Sequence, residues 1–495
     1  MPIPNLLSLT HLLPYVAHKL EFTKAVRGLR GMPRRVLLIG HIAPTGAAAP
    51  VGTITKAIGT ESDALAYCGE GSMLMAMWRA AAANMELGGV IDILPLATAS
   101  GAVKATASIT LAGVPTQAGE AMVHIAGVRI AVGVSLADTT TDIATRLCAA
   151  INALPTLPVT ATSSASVVTL EARWGGATGN DIDVRGRFYR DDFMALGVTL
   201  TVTAGAMSGG ATNPDLSAYV LAASNYRATE IVCPFNDSAS MGILEAEQET
   251  RWGCTNQQDG QVITVKRGGL AAHFTWLQPR NSKQVHSIHV RNDRTPPWET
   301  AAMAGAAIES SAAIDAVVPY TGIKLKGYMG PADADVWDQR TDANNLALLA
   351  GSVIEANEDG TGNLLRMFTH YKRSPSGAAD TSCRELCWVK IASYWRWVHV
   401  NEFETKYRDG WKAGQYITET LAGQKIMTVA LGEEIMIGLY VVFMNAGLFQ
   451  HLQHYQDTLL VEYDGQAGKL KIMDEPVMVT QHYQTEITSN LIATV

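Results

Sequence analysis

The sequence has no apolar run long enough to cross a bilayer. Its longest, IMIGLYVVFMNAGLF (Ile435–Phe449), falls short of the ~20 residues a spanning helix needs and is broken by Asn445. The opening residues, MPIPNLLSLTHLLPY, lack the basic stretch and small-residue cleavage site of a secretory signal, which predicts a chain made in a cytosol and not exported by the general route. Cysteine is scarce. Cys68, Cys148, Cys233, Cys254, Cys383 and Cys387 are scattered along 495 residues, so reduced core thiols are expected and a disulfide framework is not. Charge is thin as well, at 17% of residues, and its balance of −8 speaks against direct nucleic-acid binding or adhesion to an anionic membrane.

What is present is apolar and segmented. At 47% apolar, the chain can fill large cores, and its length fits roughly three domains at ~150 residues each. Val36 begins a strand (VLLIG), a helix follows near Ser72–Met85, and a second strand lies at Val90–Leu96. Strand, helix, strand is the unit of a parallel sheet. Near residue 100 the texture turns to Ala, Thr, Ser and Val, with strand-like runs around a helix at Thr139–Leu154. Residues 100–208 therefore read as a small α+β domain inserted into an α/β core of 31–99 and 209–380. In the resumed core, SASMGILEAEQE reads as a Ser-capped helix. From Thr381, TSCRELCWVKIASYWRWVHVNEF reads as a long amphipathic helix, opening a further α+β region over 381–475.

Sites of chemistry are hard to find. Gly46 and Gly52, after the first strand, have the wrong spacing for a Walker loop, and Gly40-His41-Ile42 breaks the dinucleotide fingerprint. Ser72 in GEGSM fits a helix cap better than a nucleophile, and no G-x-S-x-G elbow occurs. His451 and His454 lie three apart on a helix face, without companion ligands; His286 and His289 point to opposite faces of one strand. No catalytic residue, metal ligand or cofactor is assigned. A nucleotide-using α/β enzyme is the rival reading.

The two ends are more informative. From Thr480 to Asn490 every second residue is polar, and the alternate row holds Val479, Tyr483, Ile487 and Leu491. That is a strand with one apolar side at a terminus, 476–495. Residues 1–30 carry another detached strand, YVAHKLEF (Tyr15–Phe22). A lone strand cannot satisfy its own amides, so it pairs within its chain or joins a sheet of another molecule. Two of them, on a chain without a visible active site, favour a polymer.

The runs AVRGLRGMPRRVLLIG, RWG in QETRWG (Arg251–Gly253), VKRGGLAA, RNDRTPPWETAA and GGATNPDL, in that chain with its closing tail strand, resemble the contractile-tail sheath proteins of Mu-like bacteriophages. The resemblance covers nearly the whole length and departs from the family in His399 to Tyr455. It implies a multi-domain α/β fold with a subtilisin-like sheath core, an inserted outer domain and extended β-strand arms at both termini. Protease Asp, His-Gly and Gly-Thr-Ser motifs are missing, so catalysis is not implied. It further implies a virion-tail subunit assembled in the host bacterial cytoplasm. Copies form stacked rings, a helical homo-oligomer around a tail tube protein, bounded by baseplate and tail terminator proteins, with no membrane insertion. On that reading Tyr15, Val16, Ala17, Leu20 and Phe22 form an inter-subunit N-terminal arm, hinged at a linker such as Lys24–Arg35. Val479, Thr480, Tyr483, Thr485, Ile487 and Leu491 form the C-terminal arm. Glu433 and Glu434, in the helical region Leu431–Tyr455, are the chosen tube contacts. The same lattice would serve a phage-derived bacteriocin or secretion machine.

Overall fold

The computed structural model describes residues 31–489 apart from 45, 87, 190, 203–204, 333–334, 358–360, 415–423, 466–467 and 484. The chain divides into two compact bodies. One is Met32–Trp397 together with Gln481 onward; the other is built on Val398–Thr480.

In the first body, β1 (Arg35–Gly40) leads through α1 (Glu61–Cys68) and α2 (Met73–Asn84) to β2 (Val90–Pro95). The two strands pair in parallel from Arg35↔Val90 to Gly40↔Pro95, as the strand–helix–strand reading requires. Ser72 is the N-cap of α2, its Oγ accepting from the Met75 amide at 3.1 Å. That is the helix cap expected of it from the sequence.

Residues 104–202 contribute two sheets of their own. β3 (Lys104–Gly113), β4 (Gly119–Ile125), β5 (Val128–Val134), α3 (Thr140–Asn152), β6 (Val159–Ser164), β7 (Val167–Gly175), β8 (Val184–Arg185) and β9 (Val198–Val202) give the orders β6-β7-β3-β9 and β5-β4-β8. The alternation of KATASITLAG appears directly in β3, where Ala105, Ala107, Ile109 and Leu111 are buried between polar neighbours. Thr139 and Asp142 close a capping box on α3.

The α/β pattern then resumes with α4 (Ser217–Ala222), β10 (Glu230–Val232), α5 (Ser238–Arg251), β11 (Gln261–Arg267), α6 (Leu270–Leu277), β12 (Val285–Val290) and α7 (Pro297–Ile314). β1, β2, β10, β11 and β12 form one parallel sheet in the order β12-β11-β10-β1-β2, with no strand from 104–202. Alternate residues of β1 serve two cores: Val36 and Leu38 face the side of α2 and α7, Leu37 and Ile39 the side of α4 and α5. A sheet covered on both faces needs continuous apolar strands, which is why VLLIG and EIVCPF do not alternate. Helix α7 is buried almost all round. Its Gly305 lies so close to the sheet that a Cβ would stand 3.1 Å from Val232. One reading needs correction here: α5 is capped by Asp237, which accepts from the Ser240 amide, and Ser238 is already helical.

β13 (Ile323–Leu325), α8 (Asn344–Leu348), β14 (Val353–Ala356) and β15 (Gly362–Arg366) add a small sheet ordered β13-β15-β14. α9 (Leu386–Lys406) opens in this body. It is not one-sided as expected: from Leu386 to Trp395 only Ala392 is exposed. Cys383 lies before the helix, so it does not share a helical face with Cys387.

The second body holds the rest of α9, then β16 (Lys412–Ala413), β17 (Ile426–Met427), α10 (Val429–Asn445), α11 (Leu452–Thr458), β18 (Leu460–Asp464) and β19 (Lys469–Met473). β18 and β19 form an antiparallel hairpin lying on α10. Gly432 permits that approach, since a Cβ there would sit 2.8 Å from Leu470. The ring of Tyr440 stacks on Tyr455 at 3.8 Å. His451 is a left-handed N-cap residue of α11 and not part of its helical face, so the His451/His454 pair is not on one face.

Candidate functional site

An open parallel sheet holds ligands outside the carboxyl ends of its strands, where the strand order reverses. Here that point lies between β1 and β10, just past Gly40 and Val232. It is packed. His41 meets Phe235 edge-on at 5.5 Å and stacks near Trp174 at 6.4 Å. Trp174, from the end of β7, donates Nε1–H to Thr178 Oγ1 at 3.1 Å and stands edge-on to Trp298 at 5.4 Å. Beside it Arg267, at the end of β11, donates to Asp181 O at 2.7 Å and to Asp183 at 3.2 Å. Burial drives the His41 imidazole down to about 4, so it is neutral at pH 7. The glycine loop after β1 is scaffold around an occupied crevice.

Two polar clusters lie elsewhere in this sheet. At its amino end, Lys390 Nζ donates to Glu230 at 2.7 Å, to Gln261 at 3.0 Å and to Glu309. Glu309 also accepts from Thr229 at 2.8 Å, and Arg34 approaches it at 3.4 Å; His286 donates to Glu230 at 2.6 Å. Two carboxylates thus meet two permanent cations. Burial alone would raise the Glu309 carboxyl, but Lys390 and Arg34 hold it at about 2.

The second cluster is a directed chain of neutral groups. His273 must carry its proton on Nε2, which faces the carbonyls of Gly268 at 2.9 Å and Val290 at 3.2 Å. Its Nδ1 therefore accepts from His289 Nδ1–H at 2.8 Å. His289 Nε2 accepts from the Ser287 hydroxyl at 2.9 Å, and Ser287 accepts from His370 Nε2–H at 2.8 Å. Burial pushes His273 down to about 4 and His289 and His370 well below the usual histidine range. Among the described residues no cluster could hold a metal ion, and no helix is long and apolar enough to cross a membrane.

The residues chosen from sequence for assembly are distributed as follows. Tyr15, Val16, Ala17, Leu20, Phe22 and Leu491 lie outside the described residues. Val479 and Tyr483, expected in the exchanged C-terminal arm, are engaged within their own chain. The Val479 amide donates to Leu448 O at 3.0 Å in the second body. The Tyr483 hydroxyl donates to Glu385 at 3.1 Å in the first. Neither belongs to a strand, and the described residues from 479 to 489 have no regular secondary structure, because no ladder partner stands beside them in the single chain. Thr480, Thr485 and Ile487 are exposed, Ile487 by 82%. On α10, Glu434 is exposed and Glu433 half-buried. Gln481, Trp388, Arg366 and Glu385, which hold the terminal segment, went unnoticed in the sequence. They come from three distant stretches and carry no shared motif.

No protein-family model matches the chain. Over 460 residues, 91% of this chain and 91% of the other, it is 28% identical to the Mu-like prophage FluMu tail sheath protein of Haemophilus influenzae. The chain is similar to that tail sheath protein along nearly its whole length. Solved structures similar to this chain include a sheath tail protein from Desulfitobacterium hafniense, with a TM-score of 0.47, 11% identity, and 94% of this chain and 100% of that one covered. Another is a sheath tail protein from Listeria innocua, with a TM-score of 0.47, 11% identity, and 92% and 96% covered.

Proposed function

We propose that the chain is a structural subunit of a contractile tail sheath, polymerising helically around a tail tube and shortening to drive that tube through a cell envelope. Kinship with a tail sheath protein over nine-tenths of both sequences carries this reading. The way copies join rests on the second body. Its β18–β19 hairpin packs one face on α10, through Val461 and Leu470, and among the described residues no third strand pairs with it. A two-stranded sheet is marginal alone. Its two edges accept one added strand each, and this chain has two terminal segments to lend.

On this reading Tyr15–Phe22 and the exposed stretch from Thr485 add to hairpins of neighbouring copies. About six new inter-strand hydrogen bonds at ~1 kcal/mol net each give several kcal/mol per arm. Head-to-tail contacts of this kind build open helices. The inserted domain, 100–208, faces outward, since it supplies no strand to the central sheet. Glu433 and Glu434 meet the tube protein, and baseplate and terminator proteins bound the polymer. Work comes from inter-subunit surface buried during shortening. Full-length protein and a chain ending at Gln484 should both be folded by circular dichroism. Only the full-length chain should give tubes by electron microscopy; tubes from the shortened chain would sink the arm reading.

A further inference from the structure

The described C-terminal segment changes character abruptly at one residue. Gln481 is held on both sides of its amide: Nε2 donates to Val317 O at 3.0 Å, and Oε1 accepts from Trp388 Nε1–H at 2.6 Å. Two residues on, the Tyr483 ring lies under the Arg366 guanidinium, 3.8 Å from its centroid, while its hydroxyl donates to Glu385. Arg366 also donates to Glu385 at 2.7 Å, so the three side chains close a ring of contacts. An aromatic face under a guanidinium adds cation–π attraction to the hydrogen bond. From Thr485 to Ser489 every residue is exposed, and no backbone hydrogen bond holds them among the described residues.

The other end of the chain is fastened to the same block. Arg34 donates to Ala312 O at 2.6 Å, near the end of α7, and reaches Glu309 one turn earlier. Arg35 pairs with Asp92 at 3.1 Å, and Met32 is buried. Residues 32–35 are therefore clamped. Val317 follows α7; Glu385 and Trp388 begin α9, whose Lys390 grips Glu309. Both terminal segments thus leave from the end of α7 and the start of α9.

We propose that Tyr483 is a fixed anchor from which the register of the lent C-terminal strand is counted. This rests on the arm reading above and adds where the arm begins. Strand side chains alternate with period two, so a one-residue slip beyond a fixed point turns Ile487 and Leu491 to the wrong face, whereas two residues restore them. Without an anchor, the segment would absorb either change as slack.

The test compares four full-length chains with one lacking 485–495: wild type, one alanine inserted after Tyr483, two alanines inserted there, and the single insertion combined with Gln481→Ala and Tyr483→Ala. Sedimentation and electron microscopy give the assembled fraction, and circular dichroism checks folding. The single insertion should lower assembly by about tenfold, and the double insertion should restore it to within about twofold. Removing both holds, Gln481→Ala with Tyr483→Ala, should rescue the single insertion by releasing the fixed point. A single insertion that assembles like wild type overturns the anchor, as does a double insertion that fails, or a single insertion left unrescued by the two substitutions together. If the chain lacking 485–495 still assembles, the arm reading fails first and the anchor with it.

Discussion

The ammonium of Lys390 stands 2.7 Å from Glu230 and also contacts Glu309, with all three side chains buried. Removing the cation leaves two carboxylates facing each other without solvent. Lys390→Met should therefore cost about 3–5 kcal/mol in urea unfolding. Adding Glu309→Gln should recover part of that loss. A change below about 1 kcal/mol would show that the carboxylates find other partners. The pH dependence has a definite sign. The folded Glu309 carboxyl sits at about 2, below its ordinary 4.5, so its stabilisation is present above pH 4.5 and disappears as pH falls toward 2.

The chain His370–Ser287–His289–His273 predicts an earlier acid effect. His273 is held at about 4, below the ordinary 6.5, so an unfolded chain takes up a proton that the fold refuses. Stability should be complete above pH 6.5 and decline as pH falls to about 4. His273→Phe lowers overall stability, but it should also make this decline shallower by one proton, about a tenfold smaller change in the unfolding constant per pH unit. Urea midpoints between pH 7 and 4 supply the slope; an unaltered slope would remove His273 from the set.

Trp174 is the plug of the sheet crevice. Trp174→Ala should cost about 3–5 kcal/mol and admit water beside His41. The His41 titration should then move up from about 4 toward the ordinary histidine range, followed by NMR. A titration that stays in place would mean that Phe235 and the sheet alone keep His41 dry.

Gly432 is where the hairpin meets α10. Gly432→Val puts carbon into the space of Leu470 and Val461, so β18–β19 should lift away and assembly should fail while the first body keeps its unfolding transition. Retained tubes would indicate that the hairpin edges are not the connectors.

Glu433→Lys with Glu434→Lys tests the tube-facing assignment. Self-assembly should persist while co-sedimentation of the tube protein drops by about tenfold or more, with a strong salt dependence in the wild type. Equal recovery of tube by both proteins would move the contact elsewhere.

The central fold was legible because its signals are local. VLLIG is uniformly apolar since both faces of β1 are covered, and KATASITLAG alternates since β3 has one buried face. The apolar spacing of Ile143, Leu147 and Ile151 marked α3 within Thr139–Leu154, and these three residues are buried. The misreadings have physical causes too. TSCRELCWVKIASYWRWVHVNEF reads as an amphipathic helix, yet α9 is buried nearly all round through Trp395, which periodicity cannot register. Tyr483 fitted an alternating strand, but its partners Arg366 and Glu385 stand about a hundred residues earlier, beyond any pattern in the segment itself.

On the arm reading, the hairpin of the second body has a cost for copies that have not yet found a place. Every such copy offers two sticky rims to whatever extended peptide arrives first, including a misfolded one. Fidelity is then a matter of supply and timing: a growing end must capture newcomers faster than they meet each other, so a surplus of free chains yields tangles before it yields longer tubes.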